Sequence, residues 1–238
     1  MTKNGENRYF CAVNHILDNP AYNALCSGDK HLSLGTDAVK YFDETVSPFI
    51  GFEESNTKGF DDLHELLPPG RKILYAIPSP VCPPDGWQLL VEIKGLQFVY
   101  EGNGAFKNEF DNVVPLHEEH VDEMVALATL TKPGPFGTGT IKFGHYHGIF
   151  EDGKLVAMTG QRLHIENYTE ISAVCTHPDH VGKGYAYTLM QHQLQLILRQ
   201  GKHPILHVRA DNDRAISLYE RLGFVVSRPM HFYFLRRQ

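Results

Sequence analysis

Gly182 and Gly184 sit in the passage THPDHVGKGYAYTLM, residues 176–190, where a strand-like run gives way to an amphipathic helix. Glycines let the backbone approach a ligand closely, and the amides of a first helical turn point outward without intrahelical partners. With the helix dipole added, such a turn is an anion seat. Lys183 could add a charge to it or point into solvent. Two common phosphate signatures do not fit. The P-loop needs Gly-Lys-Ser/Thr, whereas Gly184 is followed by Tyr185 and Ala186. The dinucleotide fingerprint needs Gly or Ala where Tyr187 stands, and no acidic residue follows at about twenty residues to hold a ribose.

A second pattern lies downstream: Asn212, Ala215, Tyr219 and Gly223-Phe224 along one predicted helix and its end. Taken with it, Val181-Gly182-Lys183-Gly184-Tyr185-Ala186 resembles the Gln/Arg-x-x-Gly-x-Gly/Ala signature of the GNAT superfamily of N-acetyltransferases, which seats the pyrophosphate of acetyl-CoA. The resemblance runs from about residue 113 to the C-terminus. Val181 departs from it, standing where the signature has Gln or Arg; a side-chain donor is lost while the backbone amides remain. The resemblance implies an α/β (α+β) fold with a mixed, mostly antiparallel sheet flanked by helices. It implies acetyl-CoA as co-substrate, no metal, and direct transfer of the acetyl group to a primary amine of a small molecule or peptide. Val174, Cys175 and Thr176 would lie along the pantetheine arm, and Val181, Gly182, Lys183, Gly184, Tyr185, Ala186 and Asn212 would hold the rest of the cofactor.

Tyr219 is the expected general acid. A phenol near its ordinary pKa of about 10 can protonate a departing thiolate. Its other reading is a core aromatic on the apolar face of its helix. Glu170 opens the strand leading to the signature, similar in placement to the general-base glutamate of histone-acetylating members. It would take a proton from the acceptor ammonium, because only the neutral amine attacks a thioester; otherwise it is an ordinary exposed strand residue. Cys175 could suggest a covalent intermediate, but it has no assigned histidine partner and reads better as a packed thiol. Asn212 fits either cofactor contact or a cap for its own helix.

The elements that must position these residues follow from periodicity. Helices are predicted over residues 19–26 and 117–130, from Ala186 through Ile197 to a stop at Gly201, and from Asp211 or Asn212 to Gly223. Strands are predicted at 39–42, 72–77, 146–150, 154–163, 170–176, 205–208 and 230–235, with 87–100 a hairpin or one long bent strand. Glu151-Asp152-Gly153 is a tight-turn sequence. The stretch EGNGAFKNEFDN, residues 101–112, is the best boundary. It divides an N-terminal part, 1–100, from the acetyltransferase-like part, 113–238. The N-terminal part is expected to be a degenerate tandem copy or a wall for the acceptor site.

With 238 residues, 42% hydrophobic and 21% charged, the chain can bury the core of one large domain or two small ones. A net charge of -6 is opposite in sign to the footprint of a nucleic-acid binder and suits a cationic small molecule. No run approaches the roughly 18 apolar residues of a membrane span, and the start, MTKNGENRYF, lacks a signal-like apolar centre. A cytoplasmic protein is expected, without nucleic-acid or membrane partners and with homodimerisation left open. Cys11, Cys26, Cys82 and Cys175 form no C-x-x-C pair and read as free, mostly buried thiols. His117-Glu118-Glu119-His120 and His145-Tyr146-His147 lack the spacing or third ligand of a metal site. Two further functions share these features: a glycine N-acyltransferase-like enzyme using other acyl-CoA donors, whose two-part layout looks similar, and a non-catalytic acyl-CoA-binding sensor.

Overall fold

The computed structural model describes residues 15–104, 106 and 110–238. The N-terminal part supplies α1 (Pro20–Cys26), a small antiparallel sheet of β1 (Ser33–Gly35), β2 (Val39–Phe42) and β3 (Ile50–Phe52), then α2 (Gly59–Leu66), β4 (Lys72–Ile77) and β5 (Trp87–Tyr100). After residues 101–112 come β6 (Val114–Pro115), α3 (Val121–Thr131), β7 (His147–Glu151), β8 (Lys154–Ile165), β9 (Tyr168–Thr176), α4 (Tyr185–Arg199), β10 (His203–Arg209), α5 (Asp213–Leu222) and β11 (Phe224–Arg237). Among the described residues, eight strands form one sheet in the order β4-β11-β5-β10-β9-β8-β7-β6.

The mixed, mostly antiparallel sheet flanked by helices agrees with the expected fold class. Positions 105 and 107–109 of the expected boundary lie outside the described residues, as does Cys11. The main sheet runs across that boundary: β5, from the N-terminal part, lies between β10 and β11. Residues 87–100 form one strand rather than a hairpin, because β11 pairs with it from Phe224↔Tyr100 to Arg237↔Trp87. The closing strand is correspondingly longer than 230–235, absorbing Ser227 in a bulge between Val226 and Arg228.

Apolar residues coat both faces of the sheet. Leu25 of α1 and Met124 of α3 pack with Met158, Ile165 and Phe232 on one side. Met190 and Leu194 of α4 and Leu222 of α5 pack with Phe98, Ile171 and Leu206 on the other. The turn between β7 and β8 has Asp152 at φ 49 and Gly153 at φ 73, the two positive angles of a type I′ hairpin turn.

Among the described residues β9 and β10 are the one parallel pair of the main sheet, and their pairing is short: His203↔Tyr168, Pro204↔Thr169 and Ile205↔Glu170. Beyond Ile205, β10 continues against β5 as far as Arg209↔Gly95, while β9 continues against β8 as far as Ala157↔Thr176. The sheet therefore opens between Ile171–Thr176 and Leu206–Arg209. Ala173, inside β9, has φ 53, a left-handed conformation that only a local irregularity of the ladder accommodates in a non-glycine residue.

Candidate active site

A cleft of about 1370 Å³ passes through this opening. One end is the glycine turn. Gly182 has φ 92 and Gly184, the N-cap of α4, has φ 84, and a Cβ built on either meets nothing within 4 Å. The glycines are therefore required by backbone conformation, and the space in front of the turn is open. No acidic side chain occupies the first turn of α4. Arg209, Arg214 and Arg221 line the same cleft, so the residues present fit a phosphate-bearing ligand.

Every residue expected to contact the cofactor lines this cleft except Lys183. The Lys183 ammonium instead donates to Glu151 Oε2 at 2.7 Å. Asn212 caps α5, its Oδ1 accepting from the Ala215 amide at 3.2 Å, and also lines the cleft. Cys175 is buried at the wall, and desolvation pushes its thiol up to about 11 despite a hydrogen bond from Thr131. A thiol held that high is a poor nucleophile. Cys26 and Cys82 are free and exposed, so of the described cysteines only Cys175 is buried. Their positions, after the last residue of the buried α1 face and in the 81–85 loop, keep them off the core.

Tyr219 combines the two readings it had in the sequence. Its ring packs edge-on against Phe98 and Phe224, and the residue also lines the cleft. Among the described residues its hydroxyl has no hydrogen-bond partner. Burial, followed by the Glu170 charge, pushes the phenol up to about 12. It stays protonated throughout the working range and is available as a donor.

Glu170 is completely buried rather than exposed, and it does not line the cleft. Arg162 Nη2 donates to its Oε1 at 2.7 Å, and His207 Nδ1 stands 3.1 Å from the same oxygen. Gln97 Nε2 donates to the Leu17 carbonyl at 2.9 Å and lies 3.0 Å from His207 Nε2. With a donor already facing it, His207 Nε2 accepts, which leaves the proton on Nδ1 toward Glu170. Burial alone would raise the Glu170 carboxyl, but the charge of Arg162 and the contact of His207 pull it down to about 2. The carboxylate is ionised and committed to Arg162.

Sequence reasoning missed Arg162 and His207, both of which line the cleft. Nothing in the run GQRLHIE marks Arg162. It reaches the cleft because a bulge between Arg162 and His164 puts Leu163 at φ 47 and turns the strand. Arg209 and Arg214 flank the Asn212 pattern and were visible as cations beside it. Among the described residues, the cleft lining contains Lys132, Arg162, Arg209, Arg214 and Arg221 but no Asp or Glu. Arg209 is paired with Asp211 at 2.8 Å and Arg162 with the buried Glu170 at 2.7 Å. Lys132, Arg214 and Arg221 are thus the lining cations without a carboxylate partner among the described residues, and the net charge of -6 does not by itself give the charge of the cleft. Among the described residues no group of three His, Cys, Asp or Glu side chains could hold a metal. No described helix is long and apolar enough to cross a membrane.

Comparison with known proteins agrees with this geometry. The family model described as FR47-like protein matches residues 146–233, which span the opening and both signatures. A GNAT-family protein from Novosphingobium aromaticivorans is 33% identical, covers 94% of this chain and 100% of its own, and superposes with a TM-score of 0.88. A GCN5-related N-acetyltransferase from Kribbella flavida shares the fold at 14% identity, with 90% and 95% coverage and a TM-score of 0.57. One from Sphaerobacter thermophilus does so at 14% identity, with 78% and 66% coverage and a TM-score of 0.51. No curated protein sequence matches. The likeness at 33% identity over nearly the whole chain shows that the chain belongs to the GNAT family and is an acyltransferase.

Proposed function

We propose that the protein transfers an acetyl group from acetyl-CoA directly to a primary amine of a small molecule or peptide. The observation that carries this reading is the continuous cleft joining the Gly182–Ala186 turn, the β9–β10 opening and Tyr219. In this reading the pyrophosphate rests on the amides of the turn and the start of α4. The pantetheine arm runs along Val174–Thr176, where β9 has no neighbour on its β10 side. An amide of that strand polarises the thioester carbonyl. The neutral amine attacks, and as the tetrahedral intermediate collapses Tyr219 donates to the departing sulfur. Because its pKa stands well above the roughly 8.5 of an ordinary thiol, the phenol acts first as a hydrogen-bond donor to the developing charge.

Glu170 is assigned a positioning role in this scheme. A carboxylate near pKa 2 is a weak base toward an ammonium. It fixes Arg162 instead, and the acceptor amine loses its proton to water in the open cleft. The N-terminal part walls the acceptor side through Phe49, Leu74 and Ile93. The same apolar wall favours a second reading, a glycine N-acyltransferase-like use of longer acyl donors. The exposed free thiols of Cys26 and Cys82 suit a reducing compartment, and we assign the enzyme to the cytoplasm.

The test is thiol release from acetyl-CoA and from longer acyl-CoAs against a panel of amines. Release with acetyl-CoA supports the proposal. A preference for long donors with glycine supports the second reading, and tight CoA binding without release points to a sensor and contradicts both.

A further inference from the structure

Resting on the acyl-transfer reading above, we propose that the acceptor is an α-amino acid with an apolar side chain, held through its carboxylate by Arg162. The guanidinium is fixed on one side by Glu170 and lies 5.0 Å over the Phe49 ring. Its Nη1 has no protein partner among the described residues. That nitrogen stands 3.9 Å from where a Cβ on Gly134 would lie, and the glycine places no side chain over it. A planar fork with one edge fixed and another open to a cleft is suited to a carboxylate.

The charge pattern narrows the choice. At the acceptor end the cleft lining presents Lys132 and Arg162 and, among the described residues, no acidic side chain. The buried Glu170 carboxylate behind Arg162 offsets its charge, which leaves the Lys132 ammonium and the open Nη1 donor facing the ligand. A polyamine would bring cations to cations there, whereas an amino acid brings the missing anion together with the amine.

The wall beside Arg162 defines the rest of the ligand. Phe234 is the Cα partner of Leu74 and Phe232 the partner of Ile93, so these four lie on adjoining strands of the sheet, and all line the cleft. The Phe232 ring meets the His207 imidazole edge-on at 5.6 Å, joining this patch to the Glu170–Arg162 pair. With Phe49 the patch forms an apolar surface that glycine would leave uncovered and that a leucine- or phenylalanine-sized side chain would bury.

The experiment is calorimetry on the full chain saturated with CoA, titrated with phenylalanine, phenylalaninamide, phenethylamine, glycine and spermidine. Phenylalanine is expected to bind at least tenfold tighter than each of the others. The paired change Arg162→Gln with Glu170→Gln, which leaves no lone buried charge, is expected to erase the preference for phenylalanine over its amide without altering acetyl-CoA affinity. Equal binding of acid and amide, tighter binding of spermidine, or no amino-acid binding while acetyl-CoA binds would overturn this proposal alone. Failure of acetyl-CoA to bind would overturn the acyl-transfer reading and this one with it.

Discussion

Arg162 and Glu170 face each other as Cα partners across the β8–β9 ladder, and the guanidinium donates to the carboxylate at 2.7 Å with Glu170 wholly enclosed. Removing one member of such a pair leaves a buried, uncompensated charge. Glu170→Gln is therefore expected to lower stability by about 3 kcal/mol at neutral pH, measured by urea unfolding. The folded carboxyl titrates near 2 against an ordinary 4.5, so the unfolded chain binds more protons between those values. Its stabilisation is complete above pH 4.5 and disappears as pH falls through 2. The gap between wild type and variant should narrow over that window, and a constant gap would contradict the assignment.

Tyr219→Phe keeps the ring packing against Phe98 and Phe224 and removes only the hydroxyl. Turnover is expected to drop roughly 10²-fold while acetyl-CoA affinity stays nearly constant. Steady-state kinetics and calorimetry on the same preparation check this. Undiminished kcat would move the donor role to another group.

If no protein carboxylate removes the proton from the amine, the rate should follow the acceptor's own ionisation. Accordingly, kcat/KM should rise about tenfold per pH unit up to the acceptor amine's own pKa, roughly 8 for a peptide α-amine and higher for a free amino acid, and then level. Glu170→Gln should raise the acceptor KM more than it lowers kcat and leave this profile in place. A wild-type plateau beginning well below the amine pKa, lost in the variant, would restore Glu170 as the base.

His147 and His192 stack edge-on with ring centroids 4.3 Å apart between β7 and α4. Burial and then the His147 charge push the His192 imidazole down to about 4. The unfolded chain binds the extra proton between about 4 and 6.5, so this site makes stability rise with pH across that range. A histidine NMR titration should place the His192 midpoint near 4, and a midpoint at 6.5 would show that the pair imposes no cost on protonation.

Most of the elements that hold the site were legible in the sequence because their signals are local. Lys72–Ile77 and Val39–Phe42 form strands over the residues predicted, and Gly201 and Gly223, at φ 70 and 98, stop α4 and α5 as expected. Strand partners are set by distant contacts, so the place of β5 between β10 and β11 could not be read from residues 87–100. The short α2 was not predicted although Phe60, Leu63 and Leu67 recur at helical spacing behind Asp61 and Asp62 and pack against Trp87 and Tyr75; the pattern spans only about two turns before Pro68. In the site, the glycine turn and Tyr219 carry patterns of their own. Arg162 and His207 are single residues on unremarkable strands, brought together by the β8 bulge and the β9–β10 splay, and the environment of Glu170 depends on both.

The central claim is that acetyl-CoA binds with its pyrophosphate on the Gly182–Ala186 turn. Calorimetry of acetyl-CoA on wild type and on Gly184→Asp tests it most directly. An aspartate at an N-cap with φ 84 is tolerated better than most side chains and complements the helix dipole, so the variant should remain folded, as circular dichroism can verify. Its carboxylate would stand where the phosphates rest. The expected result is saturable, salt-sensitive binding to wild type and none to a folded Gly184→Asp protein; equal affinity for both, or no binding to wild type at millimolar acetyl-CoA, would contradict the account.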